Sequence, residues 1–263
     1  MARKNTQKSL RDIYTILLAY GDLHIPRHDK DLQNTLLDII EDIQPDIVLD
    51  GGDLICADCL STYSKKHKQL VGLQYELDQA FLWMTRVNAV VPHAQKIILQ
   101  DNHFWRRLED RKKDFVWMEE LNATTGRGLL RLEETGWHDM KMFKWKNDVM
   151  FVHGDDRAGS QNCPVNRSRA MVRNHSISVV RFHSHNSGVE VHNHFGETKF
   201  AVQLGTFEDT DHADSYMKHP ELSNWSTSIG IFYLPKVAKM PFQFSPVFFR
   251  NGQAIFNGKI YGP

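Results

Sequence analysis

A short apolar run that ends on side chains able to hold a metal recurs five times in this chain, and that repetition constrains the fold more than any bulk property does. The central copy is Pro45-Asp46-Ile47-Val48-Leu49-Asp50-Gly51-Gly52-Asp53. Ile47 to Leu49 reads as a buried strand, and Gly51-Gly52 lets the backbone turn tightly, so that Asp53 stands just past the strand's carboxyl end. Open α/β sheets build their sites there. The other copies run from Ile13 to Tyr20 into Gly21-Asp22-Leu23-His24, from Lys96 to Leu99 into Asp101-Asn102-His103, from Val149 to Val152 into His153-Gly154-Asp155, and from Ile177 to Phe182 into His183-Ser184-His185. Strand ends converging on one place make a polar cluster, and Asp53 is its expected centre.

Between the first two runs, Leu32, Leu36, Ile39, Ile40 and Ile43 fall close to helical spacing, which predicts a helix over Asp31 to Ile43 and a βαβ crossover between parallel strands. An amphipathic stretch from Leu70 to Val90 and a charged helical one from Phe104 to Leu121 follow. Gly126 to Gly136 reads as a short helix or loop, and Cys163 to His175 contains a helix bounded by Pro164 and Asn174. After His185 come strand-like runs without helices: Val189 to His194, Phe200 to Leu204, Ile229 to Leu234, Phe242 to Phe248 and Ala254 to Phe256. These predict an antiparallel sheet. The expected fold class is α/β, in the α+β sense, with two sheets packed face to face as a sandwich and helices outside. One domain is expected over residues 13–263, behind a basic, polar, frayed tail at residues 1–12.

Bulk properties exclude several classes of function. Lys and Arg together balance Asp and Glu at 32 each, so no whole-molecule field attracts nucleic acid or acidic membranes. Apolar runs fall well short of the roughly 20 residues that span a bilayer, and the tail lacks the marks of a signal peptide. Three cysteines, Cys56, Cys59 and Cys163, are too few for a disulfide framework and suit a reducing compartment, so the cytoplasm is expected.

Asp22, His24, Asp53, Asn102, His103, His153, His183 and His185 combine carboxylates, imidazoles and one amide oxygen. That set suits manganese, iron or zinc better than calcium and is too poor in thiolate for a structural zinc finger. It is large enough for two ions, and two ions need a bridging ligand such as a carboxylate. With these residues in this order the chain resembles the calcineurin-like metallophosphoesterases, phage and bacterial members included. Their motifs D-x-H, G-D, G-N-H-[DE], a lone H and G-H-x-H correspond to Asp22-Leu23-His24, Gly52-Asp53, Asn102-His103, His153 and His183-Ser184-His185.

The resemblance implies a two-sheet sandwich flanked by helices, in a bacterial cell or a virus-infected host cell. It implies Asp22, His24 and His185 on one metal, Asn102, His153 and His183 on the other, and Asp53 bridging. Two divalent ions are expected, manganese first, with iron, zinc or nickel as alternatives. A bridging hydroxide would attack phosphorus in line, and His103, beside Asn102 but not coordinating, would protonate the leaving oxygen. The expected substrate is a phosphodiester in a nucleotide or short nucleic acid, with a phosphomonoester as the alternative. Arg106 and Arg107, just after His103, are candidate phosphate contacts, and Lys65-Lys66-His67-Lys68 adds a basic patch.

The chain departs from the family pattern at four positions. Asp101 and Phe182 replace glycines, Phe104 replaces an acidic residue, and Cys56 stands where a carboxylate would orient His103. A glycine lost from a positive-φ position is costly for phenylalanine. These changes motivate a rival reading, a metal- or phosphate-binding protein with weakened catalysis. The remaining features have structural readings: His67, His93, His138, His175, His212 and His219 as surface residues, His192 and His194 as a solvated sheet face, Cys56-Ala57-Asp58-Cys59 as coincidence, and Trp105, Trp117, Trp137 and Trp145 as core anchors.

Overall fold

Every residue of β1 (Tyr14–Tyr20) is buried, which requires cover on both faces of the strand. The computed structural model describes residues 9–62, 71–115, 118, 120–155, 164–194, 196–209, 224–237 and 240–263. Parallel to β1 run β2 (Ile47–Asp50), β3 (Gln95–Leu99) and β4 (Trp137–Met140). A smaller sheet holds β5 (Met142–Trp145), β6 (Val149–Val152), β7 (Ser178–Arg181), β8 (Gly188–His194) and β9 (Glu197–Gln203) in the order β5-β6-β7-β9-β8. On the other side of β1, β10 (Ser228–Pro235), β11 (Gln243–Arg250), β12 (Gln253–Phe256) and β13 (Lys259–Tyr261) extend the large sheet antiparallel, giving β13-β12-β11-β10-β1-β2-β3-β4.

The chain enters through a helical turn, α1 (Leu10–Ile13). Arg11, in the stretch expected to be frayed, is tied down: its guanidinium reaches the Asp46 carboxylate and the carbonyls of Ile43 and Gln44. α2 (Lys30–Ile43) starts where the Asp29 carboxylate accepts from the Asp31 and Leu32 amides, and it stops at Gln44 in the left-handed region. Its Leu36, Ile39 and Ile40 pack with Leu77, Trp83, Met84 and Val87 of α3 (Leu73–Val90) on one face of the large sheet, against Leu18, Tyr20, Val48 and Ile98. Trp83 Nε1 donates to the Tyr20 hydroxyl at 3.0 Å, so that layer buries its polar atoms in a bond.

Alternate residues of the same strands, Leu17, Ala19, Leu49, Ile97 and Leu99, face the other way. They meet Phe151, Val180, Phe182 and Val202 of the small sheet. A third layer, Met150, Val179 and Ala201 against Val172 of α7 (Pro164–His175), closes the outer face of the small sheet. The protein is therefore a mixed α/β sandwich of two sheets with flanking helices. Among the described residues no helix is long and apolar enough to cross a membrane.

The structure departs from the sequence expectations in three places. The helix expected over Phe104 to Leu121 is a single π turn, Asn102–Arg106, followed by α4 (Arg107–Asp114). Only Leu108 and Lys112 of α4 are buried, and without a longer apolar stripe the helix has nothing to continue against. Gly126 to Gly136, in keeping with the short helix or loop expected there, holds two one-turn helices, α5 (Gly126–Leu129) and α6 (Leu132–Thr135). The strand-rich tail divides: β8 and β9 join the small sheet, with β9 parallel to β7, while β10 to β13 join the large one. The strands β4, β5 and β13 had no expectation. They are three or four residues long, and neighbouring ladders recruit them.

Candidate metal centre

The parallel strands β1, β2 and β3 of one sheet and β6 and β7 of the other all end at one edge of the sandwich. Their exit loops are stitched together by backbone bonds: Asp22 N–H to Gly52 O and His24 N–H to Asp53 O at 2.9 Å, and Phe182 N–H to His153 O at 3.0 Å. Asp22, His24, Asp53, His183 and His185 sit at φ between 51° and 73°. Aspartate and histidine enter this region more readily than most residues, but each still carries strain of about 1–3 kcal/mol. Strained backbone at that many ligand-type side chains is a mark of a functional site.

All eight strand-end residues converge. Ligand atoms of Asp22, His24, Asp53 and His185 lie within 4.8 Å of one another, as do those of Asp53, His153 and His183, and each group could hold a metal ion. Asp53 is common to both. Its Oδ2 lies 3.3 Å from His153 Nε2, 3.8 Å from His24 Nε2, and 3.9 Å from His103 Nε2 and from His183 Nδ1. Asn102 Oδ1 sits 3.0 Å from His153 Nε2, and His24 Nε2 lies 3.0 Å from His185 Nε2.

Whether these residues fit a cation can be asked of His153. Its Nδ1 is 2.8 Å from Gly51 O; a carbonyl only accepts, so Nδ1 carries the proton and Nε2 presents a lone pair. That lone pair faces two further acceptors, Asn102 Oδ1 and Asp53 Oδ2. Asp53 Oδ2 itself is buried without a hydrogen-bond partner. A proton on Nε2 or a bound cation relieves such a convergence. Burial pulls the His153 pKa down, but the carboxylates of Asp53, Asp22 and Asp101 overcome this and push it up to about 10. Burial holds His185 down at about 3 and His24 well below its usual range, so both stay neutral, as metal ligation requires. The bond from His153 to a backbone carbonyl is the usual support of a ligating imidazole. The donor set fits a borderline divalent ion.

His103 is oriented without a carboxylate. Its Nδ1 lies 3.2 Å from the Cys56 carbonyl, while the buried Cys56 thiol donates to His24 O at 3.0 Å. The loop that carries this carbonyl is held from several sides. Arg107 Nη1 donates to Cys56 O at 2.8 Å, and Ala57 N–H donates to the buried Glu76 carboxylate at 2.6 Å. Arg107 is thus occupied by the loop, whereas Arg106 is half-exposed and paired with Asp155 at 2.8 Å. Phe104 is buried in the core and packs edge-on against Trp105. Phe182 is buried too and does not adopt positive φ.

Sequence reasoning missed Glu208, whose fully buried carboxylate lies 3.9 Å from His185 Nδ1 and 4.0 Å from His24 Nε2. No local pattern marks it, because it follows β9 by an irregular path. His93 and His138 are exposed; His192 is half-buried, 3.7 Å from Glu190. His194 lies in β8. Trp137 is buried, Trp105 partly so, and Cys56 and Cys59 are not bonded to each other. Lys65, Lys66, His67, Lys68, Trp117, Cys163, His212 and His219 lie outside the described residues.

No family model matches the chain, and no curated protein matches it. Among solved structures it is similar to TT1561 of Thermus thermophilus, at 10% identity and a TM-score of 0.36, covering 88% of this chain and 98% of that one. A likeness that loose carries no argument about function.

Proposed function

We propose that this protein is a two-metal phosphoesterase of the calcineurin-like metallophosphoesterase type, cleaving phosphodiester bonds of nucleotides or short nucleic acids. The observation that carries the reading is the shared Asp53 carboxylate, which belongs to both buried ligand groups. Asp22, His24, Asp53 and His185 would hold one divalent ion, and Asp53, Asn102, His153 and His183 the other. Bound divalent ions supply Lewis-acid charge for the phosphate oxygens and lower the pKa of water. His103, which belongs to neither ligand group, aims Nε2 at the same space, 3.9 Å from Asp53 Oδ2, and would handle the proton of the leaving oxygen. Arg106 is the better placed of the two arginines for a substrate phosphate, since its partner Asp155 is a surface residue it can exchange for an anion. Phe104 and Phe182, which motivated a non-catalytic binder, pack into the core and displace no ligand, which favours the catalyst.

The test is metal analysis of the purified protein joined to rates with manganese on a dinucleotide diester, a nucleotide monoester and a long duplex across a range of salt. Preference for the diester with a shallow salt dependence is expected. Faster monoester cleavage would replace the substrate class, and full metal occupancy without turnover would favour the binder.

A further inference from the structure

We propose that Asp101 is a positioning residue that locks the shared carboxylate Asp53 to the turn carrying Asn102 and His103. The proposal rests on the two-metal reading above. One Asp101 oxygen, Oδ2, accepts the Asp53 N–H at 2.9 Å. The other, Oδ1, accepts the N–H groups of Phe104 and Trp105 at 2.7 and 3.3 Å and so caps the π turn Asn102–Arg106. The His103 N–H returns to Asp53 Oδ1 at 3.4 Å, which closes a ring of bonds between the two loops and leaves Asp53 Oδ2 for the imidazoles.

Each bond answers a need created by burial. Asp53 is 1% exposed and left-handed at φ 51°, so its amide can reach neither water nor a strand ladder. The first amides of a helical turn have no partner within the turn. Asp101, 5% exposed, serves both. Its approach depends on Gly52, at φ 96°, where an added Cβ would stand 3.0 Å from Asp101 Cβ and 2.9 Å from His153 Nδ1. The pattern that this chain resembles has glycine in place of Asp101, and glycine has no side chain with which to bridge the loops. The aspartate therefore fixes the backbone of Asp53 itself to the π turn, beside the bonds that His103 and Arg107 make to Asp53 Oδ1 and to the Cys56 and Ala57 carbonyls.

The experiment is Mn2+ titration by calorimetry of the wild type, Asp101→Gly and Asp101→Asn. Leu36→Ala, which loosens the helix-facing core away from the site, serves as a control for lost stability alone. The asparagine variant keeps the volume but can accept on one side only, and it decides the matter if the glycine variant does not fold. Both Asp101 variants are expected to bind Mn2+ about 10- to 100-fold more weakly, as is usual when a residue supporting metal ligands is lost, while Leu36→Ala binds as the wild type does. Unchanged affinity in the Asp101 variants, or an equal loss in Leu36→Ala, overturns the proposal and leaves the two-metal reading standing. A wild type that binds no Mn2+ overturns both.

Discussion

The ring of Phe182 occupies the volume that side chains at Gly21 and Gly51 would need: a Cβ at Gly21 would lie 2.6 Å from Phe182 Cδ1, and one at Gly51 would fall inside the ring's contact surface. The glycines that follow β1 and β2 make room for the ring. Phe182→Ala should therefore cost about 3–5 kcal/mol. Gly51→Ala should be strongly destabilising in the wild type and much less so in Phe182→Ala, a coupling above about 1 kcal/mol. Urea unfolding of the double-mutant cycle measures it; additive effects would mean that the ring and the glycine do not constrain each other.

Asp53→Asn should lower occupancy in both ligand groups and abolish turnover, because the same carboxylate belongs to both. His192→Ala, beside Glu190 on β8, should change neither. Ions that bind only the folded state stabilise it, so a chelator should lower the melting temperature of the wild type. Equal metal content in wild type and Asp53→Asn would remove the shared role.

His103→Ala should keep its metal and lose about 10²- to 10⁴-fold in rate, the usual range for proton-transfer catalysis. The loss should shrink for substrates with good leaving groups. A variant that loses metal instead would make His103 a ligand.

The neighbouring arginines should separate by readout. Arg107→Ala removes charge-assisted bonds to the Cys56 and Ala57 carbonyls and should cost about 1–3 kcal/mol of stability. Arg106→Ala breaks only a surface pair and should leave stability within about 1 kcal/mol while lowering the diester rate. Thermal melts beside steady-state rates distinguish the two, and a stability loss confined to Arg106→Ala would reverse the assignment.

Burial, reinforced by the charge of Asp58, pushes the Glu76 carboxyl up to about 7, against the Ala57 N–H bond and the charges of Arg27 and Arg107. Between its unfolded value of 4.5 and about 7 the folded protein holds a proton that the unfolded chain has lost. Stability therefore falls as pH rises through that window, by up to about 3 kcal/mol. Glu76→Gln should remove that fall. Urea unfolding at both ends of the window, in chelator to keep metal out of the comparison, checks it; identical slopes in the two proteins would show that folding does not raise the Glu76 pKa.

The periodicities of the strands and of α2, and the placing of polar residues just past strand ends, were legible in the sequence because each is set by residues within a few positions of one another. That locality is why Asp22, Asp53 and His153 could each be placed just past a strand end; that they meet was an expectation from the way open α/β sheets gather such ends. Tertiary structure decided what depends on partners far along the chain. Glu208 reaches His185 because β9 pairs parallel to β7, so the two strands end at the same edge of the small sheet. The Cys56 carbonyl, and no carboxylate, orients His103 because Arg107 and Glu76 hold its loop. Phe182 is tolerated because two glycines on other strands face it. The α-helix α4 ends at Asp114 because a helix persists only where it has a surface to bury against, and propensity along the chain carries no knowledge of that surface.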